Sequence, residues 1–310
     1  MKFPEPLNPN IQKKDMSAER YSRAGNSYLF TDDRMVILKS GNRYSIDFSK
    51  IGEKTVVKTN TERNSDLNSY VLDAEYYRLL REEISLSHFS TFSDSENAYV
   101  LTGPPNTGKT GINLALNLRG FKFMADEDAP VNSSGEAIPL RMPLYIGNHN
   151  IEKFQSLLNN LNADYSKPKA KSFRQIRKLP LPIVGKALDR FIEPVKIDPY
   201  DMNFETEKRE IDTAFYIQPE KRNDMRLENM RKEDFIHKMV LWNQMQRSGF
   251  EENYNIWRTE FEEANEYMED SEAKNREILE DCFESVKIKK LRVPLERQPR
   301  KIASFIEDKV

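Results

Sequence analysis

YVLTGPPNTGKTGINLALNLRGFKFMADEDAP, residues 99–130, sets a glycine-rich turn between two apolar runs and ends on three carboxylates. Within it, Gly103, Pro104, Pro105, Asn106, Thr107, Gly108, Lys109 and Thr110 match G-x-x-x-x-G-K-[ST], the pattern of a phosphate-binding loop. That pattern requires a strand before it and a helix after it. YVLT supplies the first; GINLALNL, opening at Gly111 with Ile112, Leu114, Leu116 and Leu118, supplies the second. Glycines let backbone N–H groups approach phosphate oxygens, and the helix N-terminus adds its positive end. Lys109 then bridges the outer phosphates and the Thr110 hydroxyl is placed for Mg²⁺. The next strand, FKFMA, delivers Asp126, Glu127 and Asp128 at its C-terminal end, where open α/β sheets bind ligands.

Outward from this stretch the chain alternates strand and helix. SHFSTF and AYVLTG read as strands and EIDTAFYIQP as a third. SVKIKKLRVPL is a terminal strand, and an amphipathic helix follows from Pro299 to Ile306. Residues 1–24 lack periodicity and read as a surface arm. SYLFT, RMVILK, RYSIDF and KTVVKT, broken at Asp32, Asp33, Gly41 and Asn42, give a small β-rich region over residues 25–84, closed by a helix at 71–84. Residues 85–310 then form an α/β core with a helical C-terminal half. In that half Met230, Phe235, Met239, Trp242, Met245, Phe250, Tyr254, Trp257, Phe261 and Tyr267 recur at helical spacing, a stripe expected in the core.

The 50 acids and 48 bases of the 310 residues nearly cancel, so no broad attraction to nucleic acid or to an anionic membrane is expected. No apolar run approaches a membrane span, and the start MKFPEPLNPNIQKK has no signal-peptide core; a cytoplasmic location is expected. Cys282 is the sole cysteine, reads as a packed thiol, and leaves no internal disulfide.

His88 on its strand, the loop fifteen residues later, and LNLRGFKFMADED together resemble the HPr kinase/phosphorylase group and its relatives with a phosphoenolpyruvate-carboxykinase-like nucleotide fold. The resemblance covers about residues 84–147. It implies a kinase using ATP and Mg²⁺, in which Asp126 is the general base toward a serine hydroxyl, Glu127 helps bind the metal and His88 contacts the phosphates or the acidic cluster. Members of that group form rings, so a homo-oligomer joined through the C-terminal helices is an expectation of the same kind. Departures are Glu127 in place of a second Asp, Phe89 after His88 where a small residue is usual, and Phe121 after Arg119-Gly120 in place of histidine.

The expected activity is therefore transfer of the γ-phosphoryl group from a nucleoside triphosphate to a hydroxyl of a protein, peptide or small molecule. Catalysis falls to Asp126, Lys109 and His88, and the metal to Thr110, Glu127 and Asp128. An ATP-hydrolysing switch regulated by a protein partner is the alternative. Arg141 and the basic segment 167–178, with Arg174, Arg177 and Lys178, are further candidates for stabilising transferred charge; His149 and His237 lie outside any metal-ligand spacing. The sequence leaves ATP against GTP open.

Overall fold

In the computed structural model the described residues are 5–6, 21–23, 26–30, 34–39, 42–53, 57–59, 65–146, 195–261, 263–296 and 298–310. Segment 167–178 and His149 lie outside them. The chain is mixed α/β and divides into two compact units: Met1–Leu86 with Ile236–Cys282, and Ser87–Phe235 with Phe283–Val310. The boundary differs from the one drawn at residue 84, because the helical residues 236–282 belong with the N-terminal strands.

In the first unit, β1 (Glu5–Pro6), β2 (Tyr21–Arg23), β3 (Asn26–Phe30), β4 (Met35–Lys39), β5 (Asn42–Ile46) and β6 (Val57–Thr59) form one sheet in the order β1-β6-β5-β4-β3-β2. β3 to β6 pair antiparallel with one another, as the alternating apolar runs dictate, and β1 adds parallel to β6. β1 and β2 fall inside residues 1–24, where the sequence suggests only a surface arm; backbone pairing needs no side-chain periodicity. Helix Ser65–Leu80, the part of helix Lys232–Phe261 from Ile236 onward, and helix Ser271–Cys282 complete the unit. The core is aromatic: Phe48 is fully buried with its ring 5.2 Å from Phe250, 5.9 Å from Tyr254 and 6.0 Å from Trp257. Asn265 ties it together, donating to the carbonyls of Phe48 and Ile51 while its side-chain oxygen accepts from the N–H groups of Tyr267 and Met268. Cys282 is buried here, as expected. The stripe is not wholly core: Met245 is 62% exposed.

In the second unit, β8 (Ser90–Ser93), β9 (Ala98–Thr102), β10 (Lys122–Asp126), β15 (Arg209–Glu220), β16 (Arg226–Asn229) and β17 (Lys287–Pro294) lie in the order β10-β8-β9-β15-β17-β16. β7 (Ile84–Ser87) precedes this sheet in the chain, and the hairpin partner β11 (Ala129–Asn132) joins it through β12 (Glu136–Ala137), which pairs with the start of β15. β13 (Leu144–Ile146) and β14 (Val195–Ile197) form a separate ribbon. Residues 226–229, just before the helical stripe that opens at Met230, are strand, because Arg226 to Asn229 pair with β17.

β9, β15 and β17 are parallel. β8 is antiparallel to both β9 and β10, so β9 and β10 also run the same way, with β8 between them. Their C-terminal ends therefore reach one edge of the sheet. Helix Lys109–Asn117 and helix Pro299–Glu307 cover the same face, packing Ile112, Leu116, Ile302 and Ile306 onto Phe92, Leu101, Phe215 and Val293. Phe89, at the position where the resembled group has a small residue, joins Phe235 and Phe283 in an aromatic trio.

Replacing Phe48 by Ala should lower stability by about 3–5 kcal/mol, the usual result of emptying a buried aromatic site. Both tryptophans, Trp242 and Trp257, lie in the first unit. Their fluorescence in urea should thus show an earlier midpoint; an unmoved midpoint would refute this packing.

Candidate phosphate-binding site

The turn at residues 103–108 depends on three residues with left-handed backbone: Gly103 at φ 145°, Asn106 at φ 61° and Gly108 at φ 93°. At Gly103 glycine is required twice over, since a Cβ there would sit 2.5 Å from the Ile217 carbonyl oxygen. Gly108 caps helix Lys109–Asn117, whose first turn holds no acid to compete for an anion. The helix is buried nearly all round, Gly111 included, so its N-terminus is fixed relative to the sheet.

Asn113 supplies much of that fixation. Its amide donates to the Ser90 hydroxyl at 2.8 Å and to the Thr91 carbonyl at 3.0 Å, tying the helix to β8. Ser90 pairs in register with Leu101 of β9 on one side and with Asp126 of β10 on the other. The sheet thus carries the loop and the acid to the same edge. There the Thr110 hydroxyl donates to Asp126 Oδ2 at 2.6 Å. Asp126 Oδ1 and the Thr107 hydroxyl are both enclosed without a hydrogen-bond partner.

Lys109 is 7% exposed, with its ammonium 2.8 Å from His88 Nε2 and 3.2 Å from the Gly103 carbonyl. His88 is not on a strand, as the sequence suggests, but in the bend between β7 and β8, where its carbonyl accepts from Thr102. Burial pulls the Lys109 pKa down to about 8, against the opposing pull of Asp126 and Glu127. Burial also raises the carboxyl of Asp126, although the Ser90 and Thr110 hydroxyls and Lys109 act the other way. Glu127, itself at φ 71°, is raised first by lost hydration and then by Asp126 and Asp128, even though its side chain reaches solvent.

The structure thus brings together His88, Lys109, Thr110 and Asp126. Among the described residues no three His, Cys, Asp or Glu side chains converge as a metal cage, so Glu127 and Asp128 do not complete one with Asp126. Arg141 forms an ion pair with Asp198 at 3.2 Å, and His237 is exposed on its helix. Ser90 and Asn113 are the residues the sequence did not single out. Their signal is only a polar residue at a strand start and another among the helix leucines.

No helix among the described residues is long and apolar enough to cross a membrane. No protein-family model matches the chain, and no curated protein matches it. Among solved structures, the Hpr(Ser) kinase/phosphatase from Coxiella burnetii is similar over 72% of this chain and 93% of that one, at 11% identity and a TM-score of 0.27.

Because the Asp126 pKa is raised on folding, the folded state binds more protons than the unfolded one, and stability falls as pH rises through that range. Asp126→Asn, which keeps an acceptor for Thr110, should therefore raise the melting temperature at pH 7.5. The scale is about 2–4 °C per kcal/mol relieved. At a pH below the ordinary carboxylate range the difference should vanish; a variant that melts lower at both pH values would contradict the assigned burial.

Proposed function

We propose that the second unit is a kinase: it binds a nucleoside triphosphate with Mg²⁺ and transfers the γ-phosphoryl group to a hydroxyl of a protein, peptide or small molecule. The observation that carries this reading is the Thr110 to Asp126 hydrogen bond beside a buried Lys109 ammonium, at the mouth of a turn built from left-handed residues. Free first-turn N–H groups and the positive helix end hold phosphate oxygens in such a turn. Lys109 exchanges the ring nitrogen of His88 for an outer phosphate oxygen, which releases His88 to hydrogen-bond the same phosphate.

The donor set fits Mg²⁺, which takes one or two protein oxygens and fills its other positions with phosphate and water. Thr110 donates its hydrogen bond to Asp126 and so leaves its lone pairs free for the metal; Asp126 supplies charge, and Glu127 and Asp128 add to the local negative field. When bound, the metal neutralises charge on the β- and γ-phosphate oxygens. Asp126 accepts the proton of the attacking hydroxyl as the new O–P bond forms and the bond from the γ-phosphorus to the bridging oxygen breaks, leaving a nucleoside diphosphate. Oδ1, which has no hydrogen bond of its own, is the oxygen left for that proton, and a raised pKa is the direction a base requires.

Incubation of the protein with γ-labelled ATP and a cell extract, read by mass spectrometry, should yield a newly phosphorylated hydroxyl. Asp126→Asn should retain nucleotide binding and reduce transfer by about 10²–10⁴-fold, the range for loss of a general base. Strong residual transfer removes Asp126 from that role. Lys109→Met should abolish triphosphate binding. In the wild type, an anion raises the Lys109 pKa from about 8, so binding near pH 8.5 should take up protons and weaken as pH rises further. Calorimetry in buffers of different ionisation enthalpy reads that uptake, and equal heats in all buffers would contradict it.

A further inference from the structure

Helix Lys109–Asn117 and helix Pro299–Glu307 lie on one core, and Arg119, just past the end of the first, pairs with Glu307 and Ser304 at the end of the second. Each helix follows one of two strands that run the same way, β9 and β17, so both begin at the edge where those strands end. Beside them, Thr102 at the end of β9 is level with Tyr216 and Lys290, while β15 and β17 continue to the paired Glu220 and Pro294. Those four further residues extend about 13 Å past the point where the loop leaves its strand.

At the end of this extension, next to the start of the second helix, lies a cleft of about 580 Å³. This is inside the roughly 300–1,000 Å³ of small-molecule sites. Met225 and Leu295 give it apolar walls, and Leu295 is 55% exposed, an uncovered surface beside polar neighbours. Asn223 and Gln298 bring amides, and the Gln298 side chain makes no bond to the helix it precedes. Arg222 is neutralised by Glu220 and Asp224, whereas Lys221 and Lys301 form no ion pair among the described residues. Apolar walls, two amides that can each donate and accept, and these two lysines, set against the single carboxylate of Glu296, match a flat heteroaromatic ring joined to a sugar and an anion.

We infer that this cleft receives the base and ribose of the nucleotide whose phosphates occupy the loop, a reading that rests on the nucleotide assignment made above. The loop holds the phosphate tail at the first helix, and the nucleoside lies across to the second, with Lys221 and Lys301 facing the phosphate nearest the sugar. Asn223 and Gln298 then decide which base is accepted.

Inorganic tripolyphosphate carries the tail without the nucleoside and separates the two claims. By calorimetry on the full chain, ATP or GTP should bind at least about tenfold more tightly than tripolyphosphate, a difference of about 1.4 kcal/mol. The exposed-site variant Leu295→Asp, and separately the double variant Asn223→Ala with Gln298→Ala, should bring nucleotide affinity down to the tripolyphosphate value while leaving tripolyphosphate binding unchanged. Both variants alter solvent-facing side chains, and an unchanged thermal melt verifies folding. Equal wild-type affinity for nucleotide and tripolyphosphate, or variants that bind nucleotide as the wild type does, overturns the cleft assignment and leaves the loop standing. Failure of tripolyphosphate and nucleotide alike overturns the loop and the cleft with it.

Discussion

The hydrogen bond from Thr110 to Asp126 joins the helix that follows β9 to the end of β10, and everything at the site follows from how they come to meet. β9 and β10 are not neighbours. β8 lies between them and runs opposite to both, which is the arrangement that lets two strands of the same direction end together. Ser90, first residue of β8, is paired with both of them and accepts the Asn113 amide from the helix above. One buried polar joint thus sets the helix N-terminus against the acid strand, and the two hydrogen bonds the Asn113 amide nitrogen donates hold the helix to a single register.

Much of this could be read from the sequence because it is local. The glycine pattern needs only six to eight consecutive residues, and the φ values at Gly103 and Gly108 are what that pattern encodes. The strands at 98–102, 122–126, 209–220 and 287–294 are continuous apolar or alternating runs, and the terminal helix is amphipathic. What escaped was long-range. Helical spacing in residues 236–282 says which side of a helix is apolar but not which surface covers it, so their placement with the first-unit strands was not legible. Met245 keeps the spacing of its stripe and still faces solvent, since a 3.6-residue period is blind to where the partner surface stops. His88 resisted for a related reason: the bend between β7 and β8 turns on pairing partners far along the chain, while SHFSTF reads as one strand.

The acids show the same division. That a strand would end in carboxylates was evident; which carboxylate would turn inward was not. Asp126 is the last paired residue of β10 and its side chain is directed by that pairing, whereas Glu127 has already left the strand in a left-handed turn and reaches solvent. Of three consecutive acids, the half-buried Asp126 thus turns into the site while Glu127, a single step past the strand end, is exposed.

Burial at this edge works against the fold. Lys109 and Asp126 are each held away from their ordinary ionisation by lost hydration, and each partly compensates the other without cancelling the effect. The Lys109 ammonium rests on a ring nitrogen and a carbonyl, weaker partners than a phosphate oxygen. An anion entering the turn would give Lys109 its missing counter-charge, and a cation at Thr110 and Asp126 would give the carboxylate its own. A protein that needed this edge only as a turn would gain stability by replacing both residues with neutral ones. Keeping two poorly compensated charges 17 residues apart in sequence, brought together through a third strand, is intelligible when the compensation arrives with a ligand that carries both signs, as a metal-bound polyphosphate does.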